Sequence, residues 1–372
     1  MSASPAARAG AGRAGVVVPG VSHRASGLVF AIAAAAAFGT SGPFVKPLLD
    51  AGWSPVAAVA VRAGAGGLVL LLPALLALRG RFRLLATSWK LVLAYGFIAV
   101  IGAQVFYFAA IGRMPVGIAL LIEYSAPILL VLLAWARTRI PPALLTIIGA
   151  VLSIAGLALV INPSGAGGLD VLGVVFALAA AVCLAGYYLI SAMPSNGLPP
   201  VTLVSVGLLV GAAGLGLVGA TGVLPFTMSF ADVALPVVGE VSWMVPMGIV
   251  VLVATAFAYL AGILGTVRLG SRVASFVGLV EVLFAVLLSW LLLGEVPTLL
   301  QGVGGALIVA GVVFVKLERE AETAGGGAGT ARSAGNARSA GSAGSARSRA
   351  GTPELPEPIT PDPGAVAVDR AG

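Results

Sequence analysis

A chain of 372 residues that is 59% hydrophobic and only 9% charged lies far below the ~25% charge of an average soluble protein. Lipid is therefore the expected solvent for most of it. One cysteine (Cys183) and one histidine (His23) exclude a disulfide framework and a zinc or iron site. The net charge of +7 does not point to nucleic acid, because the basic residues sit in loops and tails.

In chain order, residues 1–25 are rich in Ala, Gly and Arg and read as a disordered N-terminus. No convincing small-residue cleavage site ends the first apolar run, so that run reads as a retained span rather than a signal peptide. At roughly 20 apolar residues per crossing, ten spans can be drawn: 27–49, 55–78, 88–111, 115–136, 142–162, 170–192, 200–223, 243–266, 272–293 and 298–316. Turn sequences such as "NPSGAGG" at 162–168 separate them. Residues 317–372, with "GTARSAGNARSAGSAGSARSRAG", are low-complexity and read as a disordered tail. No G-x-x-x-x-G-K-[ST] loop is present, so nothing in the sequence indicates ATP as the energy source.

An internal repeat divides the spans into halves at 26–164 and 165–316. Residues 113–160 laid on 268–315, an offset of 155, give 14 identities in 48 pairs without a gap. They include Arg113/Arg268, Trp135/Trp290, Pro142/Pro297, Gly149/Gly304 and Gly156/Gly311, and the Gly pairs, seven apart on one helix face, read as helix close-packing. Five spans per half is an odd number, so the second half must enter the membrane from the opposite side. The expected fold is an all-α polytopic membrane protein of ten helices in two inverted five-helix repeats. Of the 21 basic residues, only Lys46, Arg62 and Arg113 fall outside the segments on the N-terminal side, which puts both termini in the cytoplasm.

The stretches "GRMPVGIALLIEYSAPILLVLLAWA" and "RLGSRVASFVGLVEVLFAVLLSWLLLGEVP" resemble the ends of the two EamA repeats of the drug/metabolite transporter superfamily. "FGTSGPFVKPLLDAGWSPVAAVAVRAGAGG" resembles the opening of that family, and the resemblance covers about residues 27–316. Two departures stand out: the first half has "RTRIPP" where the second has "LLGEVP", and Val282 stands where the family usually has proline while the first half keeps Pro127. The helix "MPVGIALLIEYSAP" is most similar to the threonine/homoserine exporter branch, which implies efflux of amino acids or similar small metabolites.

Four ionisable residues fall within or at the edge of spans: Lys46, Arg62, Glu123 and Glu281. A charge at the bilayer centre costs roughly 2.5–3.5 kcal/mol on insertion scales, so each requires a reason. At 1.5 Å per residue Glu123 lies ~12 Å and Glu281 ~14 Å into their helices, near the midplane of a core about 30 Å thick. Glu281 aligns with Ala126, three residues from Glu123, so the repeat puts both carboxylates on one face. Pro127 cannot donate to the carbonyl of Glu123, so the helix is expected to break there. Glu123 is the leading candidate to bind a cationic amine or a proton in a hydrated cavity; the competing reading is a buried group that fixes packing. Arg62 is placed to clamp a carboxylate, with helix anchoring as its alternative, and Lys46 either joins it or snorkels to the interface. Gln104 with Tyr107, and Thr255 with Tyr259, share helix faces at matching places in the two halves and can orient a ligand or link helices. Tyr187, Tyr188 and Trp243 read as interfacial anchors.

These readings add up to a secondary active transporter of the bacterial plasma (inner) membrane that exports amino acids or similar metabolites by alternating access, with proton coupling open. No nucleophile-elbow or H-E-x-x-H motif indicates an enzyme, and no cofactor is implied. The expected partners are a small-molecule substrate and the lipid bilayer, with a homodimer left open. A lipid or lipid-linked-sugar flippase on the same fold, and a non-transporting scaffold or sensor, are the alternatives.

Overall fold

The computed structural model describes residues 21–139, 141–161, 170–191, 193–314 and 317. The turn at 162–168, most of the N-terminus read as disordered and nearly all of the tail lie outside these residues. Ten apolar helices are present among them: α1 (Ala25–Asp50), α2 (Pro55–Leu78), α3 (Trp89–Ile111), α4 (Val116–Thr138), α5 (Leu144–Leu159), α6 (Val171–Ser191), α7 (Pro200–Ala220), α8 (Met244–Leu269), α9 (Val280–Leu293) and α10 (Leu299–Phe314). Seven are long and apolar enough to cross a membrane, whereas α5, α9 and α10 are shorter. The helix that contains α1 already begins at Val21, so residues 21–25, read as irregular, are helical. Helical backbone also continues beyond α8 to Gly278 and turns at Leu279, so the uninterrupted ninth apolar helix starts at 280 rather than 272.

Local chemistry sets the helix ends. Ser54 Oγ accepts from Ala57 N at 3.2 Å and Pro55 occupies the first turn of α2, where its missing N–H costs nothing. Arg139 (φ 57°) and Gly294 (φ 69°) end α4 and α9 in the left-handed region. The repeat pairs these two positions, so both halves use the same stop, one of them against the steric cost of a side chain.

The all-α expectation needs one correction. The loop between α7 and α8 carries a two-stranded antiparallel hairpin, β1 (Val233–Leu235) and β2 (Gly239–Val241). Val233 and Leu235 are buried on one side while Ala234 faces out, the alternation of a strand, and Gly239 (φ 92°) permits the turn. The loop is fastened to the end of α1, where Trp53 Nε1 donates to Ser229 O at 2.6 Å and Ser54 N to Thr227 O at 3.0 Å. Trp243, read as an interfacial anchor, packs between Trp53 and Phe230, with ring centroids 5.6 and 5.4 Å away.

Helices pair across the two halves: α1 lies along α8, α3 along α6, and α2 along α7. On the α2–α7 seam Ser205 Oγ donates to Gly67 O at 2.9 Å and Thr202 Oγ1 to Ala74 O at 3.1 Å. The α5–α10 pair shows the internal symmetry most directly. A Cβ on Gly156 would fall 2.5 Å from Gly304 O, and a Cβ on Gly311 would strike Gly149 O and Ser153 Oγ. Exchanging the halves by the offset of 155 turns Gly156 into Gly311 and Gly304 into Gly149, so either contact gives the other, as a two-fold relation between the halves requires. Small residues here let backbones touch, which is how helices associate when lipid offers no hydrophobic drive.

Candidate functional site

Three helices are interrupted beside one cavity. α1 turns at Thr40, whose Oγ1 donates to Ala37 O at 2.7 Å, and a new helix, Ser41–Asp50, begins. In α4 the segment Val116–Glu123 ends, Tyr124 and Ser125 form a turn, and Ala126–Thr138 follows with Pro127 as its second residue. Pro127 cannot extend the ladder back to Glu123, and Ile128 N bonds Ser125 O at 2.9 Å instead. α9 starts just past the turn at Leu279, with Glu281 as its second residue. Two further helices widen to π geometry nearby, α3 at Tyr95–Gly102 and α8 at Leu252–Phe257. Such segments occur frequently at functional sites because they redirect side chains.

These interruptions surround a cavity of about 250 Å³. Its walls include Arg62, Glu123, Glu281, Gln104, Tyr107 and Tyr259, together with Ser41, Tyr124, Tyr187 and Tyr188. Arg62 is only 5% exposed and Glu123 8%, so both charges stand in protein rather than at an interface. Every partner assigned to Arg62 is neutral: Nε donates to Thr255 Oγ1 at 2.9 Å, one terminal nitrogen to Ser41 Oγ at 3.0 Å, and the other to Ala254 O at 3.4 Å. The guanidinium carbon also lies 5.6 Å from the centre of the Phe108 ring, near enough for a cation–π contact. Thr255 holds its hydroxyl toward Arg62 because its own proton goes to Val250 O, five residues back, at 2.8 Å.

The two carboxylates differ. Glu281 accepts from Tyr124 Oη at 2.7 Å, a bond that joins the break in α4 to the start of α9. Glu123 has no hydrogen bond or ion pair within bonding distance among the described residues. Gln104 Oε1 is buried without a hydrogen-bond partner. A guanidinium has five N–H donors, and three atoms of Arg62 engage one protein acceptor each, so donors remain for a ligand. The cavity thus offers a cation with spare donors, a free carboxylate, an oriented carboxylate and an unpaired amide oxygen. Among the described residues no group of three or more His, Cys, Asp or Glu is arranged to hold a metal ion.

Two of the candidate binding residues do not line this space. Thr255 stands behind Arg62 as its hydrogen-bond acceptor. Lys46 points away, pairing with Glu295 at 2.7 Å and donating to Met114 O at 3.1 Å. Tyr187 and Tyr188, read as interfacial anchors, are cavity walls instead, with Tyr187 against Tyr95 at 5.9 Å. Tyr124 and Ser41 escaped the sequence reading; the only local signal for them was adjacency to Glu123 and to the Gly39–Thr40 pair.

Both halves of the chain, residues 25–162 and 171–317, match the EamA-like transporter family. The chain belongs to that family. Its members are transporters, not enzymes, and the fold is accordingly that of a multi-pass membrane protein. This EamA-like chain is 28% identical over 296 residues to the Bacillus subtilis (strain 168) protein named "Uncharacterized transporter YwfM", spanning 77% of this chain and 92% of that one. A solved structure titled "Crystal structure of protein" is similar at a TM-score of 0.53 and 21% identity, covering 80% of this chain and 99% of its own. That likeness speaks for the fold alone. None of these matches bears on the threonine/homoserine exporter branch.

Proposed function

We propose that this EamA-like protein is a ten-helix secondary carrier of inverted five-helix repeats that exports amino acids or similar small zwitterions by alternating access. The observation that carries the reading is the single cavity in which Arg62 faces Glu123 and Glu281 without an ion pair between them among the described residues. Uncompensated charge in a membrane span is costly, at roughly 2.5–3.5 kcal/mol per group on insertion scales. A zwitterion relieves it by giving its carboxylate to Arg62 and its ammonium to Glu123, with Gln104 and the tyrosines fixing orientation. The cavity volume of about 250 Å³ is below the ~300–1,000 Å³ of drug-sized sites, which favours a small metabolite. Glu123, free of protein partners, is also the group suited to exchange a proton for the ammonium. The distribution of Lys and Arg supports cytoplasmic termini in a bacterial inner membrane.

The test is release of metabolites from cells with and without the protein, followed by transport of any released amino acid in proteoliposomes. Glu123→Gln is expected to slow that transport about tenfold or more, as loss of a charge-assisted contact implies, and to flatten its pH dependence. Unchanged rate and pH profile would refute the role of Glu123. A flippase reading draws on a different feature, an apolar groove of about 630 Å³ between α4, α9 and α10 that includes Leu283, Trp290 and Val309. Transbilayer movement of a labelled lipid that Glu123→Gln leaves intact would favour it.

A further inference from the structure

The half-helices that reach the cavity meet again at their far ends. Ser41–Asp50 has Ser41 at the cavity and Lys46 one turn and a half beyond; Val116–Glu123 has Glu123 at the cavity and Val116 at its far end. α9 has Glu281 at the cavity, and its chain reaches Glu295 two residues past Leu293. There Glu295 Oε1 pairs with Lys46 Nζ at 2.7 Å, while Oε2 accepts from Val116 N at 2.8 Å. Lys46 Nζ donates in addition to Met114 O at 3.1 Å. One carboxylate and one ammonium therefore tie together all three segments.

Between this junction and the cavity the segments touch backbone to side chain. A Cβ on Gly42 would lie 2.6 Å from Tyr107 Oη and closer still to Val116, and one on Gly117 would lie 2.5 Å from Val286 Cγ2. Glycine at these positions permits the close approach of the three half-helices, and the space left beside Gly117, Val286 and Glu295 is a small pocket of about 90 Å³. The ion pair is mostly shielded, with side chains 20% and 14% exposed, so water weakens it less than a surface pair. The repeat pairs Glu295 with Ile140, so the first half has no carboxylate at the equivalent position of its sequence.

We propose that Lys46 and Glu295 form a latch that holds the cavity shut on their side of the membrane, and that its release lets that side open. The latch rests on the transport reading above, but its test requires no substrate, so the two can fail separately. Cys183 is replaced by Ser, and Ala103, a cavity wall on α3 outside the three latched segments, becomes the single reactive thiol through Ala103→Cys. A membrane-impermeant methanethiosulfonate ammonium reagent is then applied from the Lys46 face, and in a parallel sample from the opposite face. With the latch intact, labelling from the Lys46 face is slow. Lys46→Gln, and Glu295→Gln, which keeps an oxygen for Val116 N–H but loses the charge, are each expected to raise that rate about tenfold, as loss of a mostly shielded ion pair implies. The exchanged pair Lys46→Glu with Glu295→Lys restores the attraction without the Val116 cap and is expected to slow labelling again, part of the way. If either single variant fails to reach the membrane, the other carries the same reading. Unchanged labelling from the Lys46 face, or an equal rise from both faces as general loosening would produce, overturns the latch.

Discussion

The two ends of the same half-helices handle charge in opposite ways. At the Lys46 end, ammonium and carboxylate are in direct contact at 2.7 Å and the remaining valences go to Val116 N and Met114 O. At the cavity end, Arg62 is held by a hydroxyl from Ser41, a hydroxyl from Thr255 and a carbonyl from Ala254, while Glu123 has no such partner among the described residues. Charges satisfied by one another lock elements together; charges satisfied only by neutral dipoles keep their field for something else. The first arrangement suits a structural fastening, the second a binding site.

The largest effect that would break this comparison is at Arg62. Arg62→Gln is expected to reduce transport on the order of 100-fold, because hydrogen bonds to charged groups contribute roughly 1.5–3 kcal/mol each. Initial rates in proteoliposomes measure it, and a variant that folds and transports normally would demote Arg62 to a packing residue. Exchanging neutral for charged at the two carboxylates sharpens the contrast between them. Glu281→Gln is expected to lower transport less than Glu123→Gln, since Tyr124 continues to hold the amide in place; side-by-side rates at one substrate concentration decide the order.

A smaller change is expected from Tyr124→Phe, which removes the 2.7 Å bond to Glu281 and costs ~0.5–1.5 kcal/mol. It should appear as a lower midpoint in thermal unfolding of the detergent-solubilised protein, together with a raised substrate KM. The smallest effect on transport is expected from Ser54→Ala at the start of α2, which lies outside both charge clusters. Loss of the helix cap to Ala57 N costs ~1 kcal/mol, and the bond that Ser54 Oγ accepts from Thr227 N is lost with it, so stability falls while transport per folded molecule is unchanged. A transport defect there would show that the α2 terminus takes part in the cycle.

Much of the architecture is legible in the sequence because each element depends on local physics. Apolar runs of span length, glycine faces repeated seven residues apart and a proline four residues after Glu123 act within a helix or between equivalent helices. The glycines of α5 and α10 meet where the offset of 155 pairs them. Counting residues along the spans misjudged Tyr187 and Tyr188, because distance from a span end says nothing about which face a neighbouring helix covers. It was silent about Tyr124, since the two-residue turn between half-helices has no apolar signature.

By itself, then, the sequence determines that this EamA-like chain is built for a membrane, that it repeats, and that Arg62, Glu123 and Glu281 require a reason to be where they are. Only the tertiary structure decides which charges find partners. Arg62 meets Thr255 across 193 residues of sequence, and Tyr124 meets Glu281 across 157. Lys46, read as either joining Arg62 or reaching to the interface, is satisfied by Glu295 and Met114 instead. The reason is physical. Burial of a side chain in lipid follows from local hydropathy, whereas the partner that neutralises a buried charge comes from whichever helices the packing of the two halves brings together.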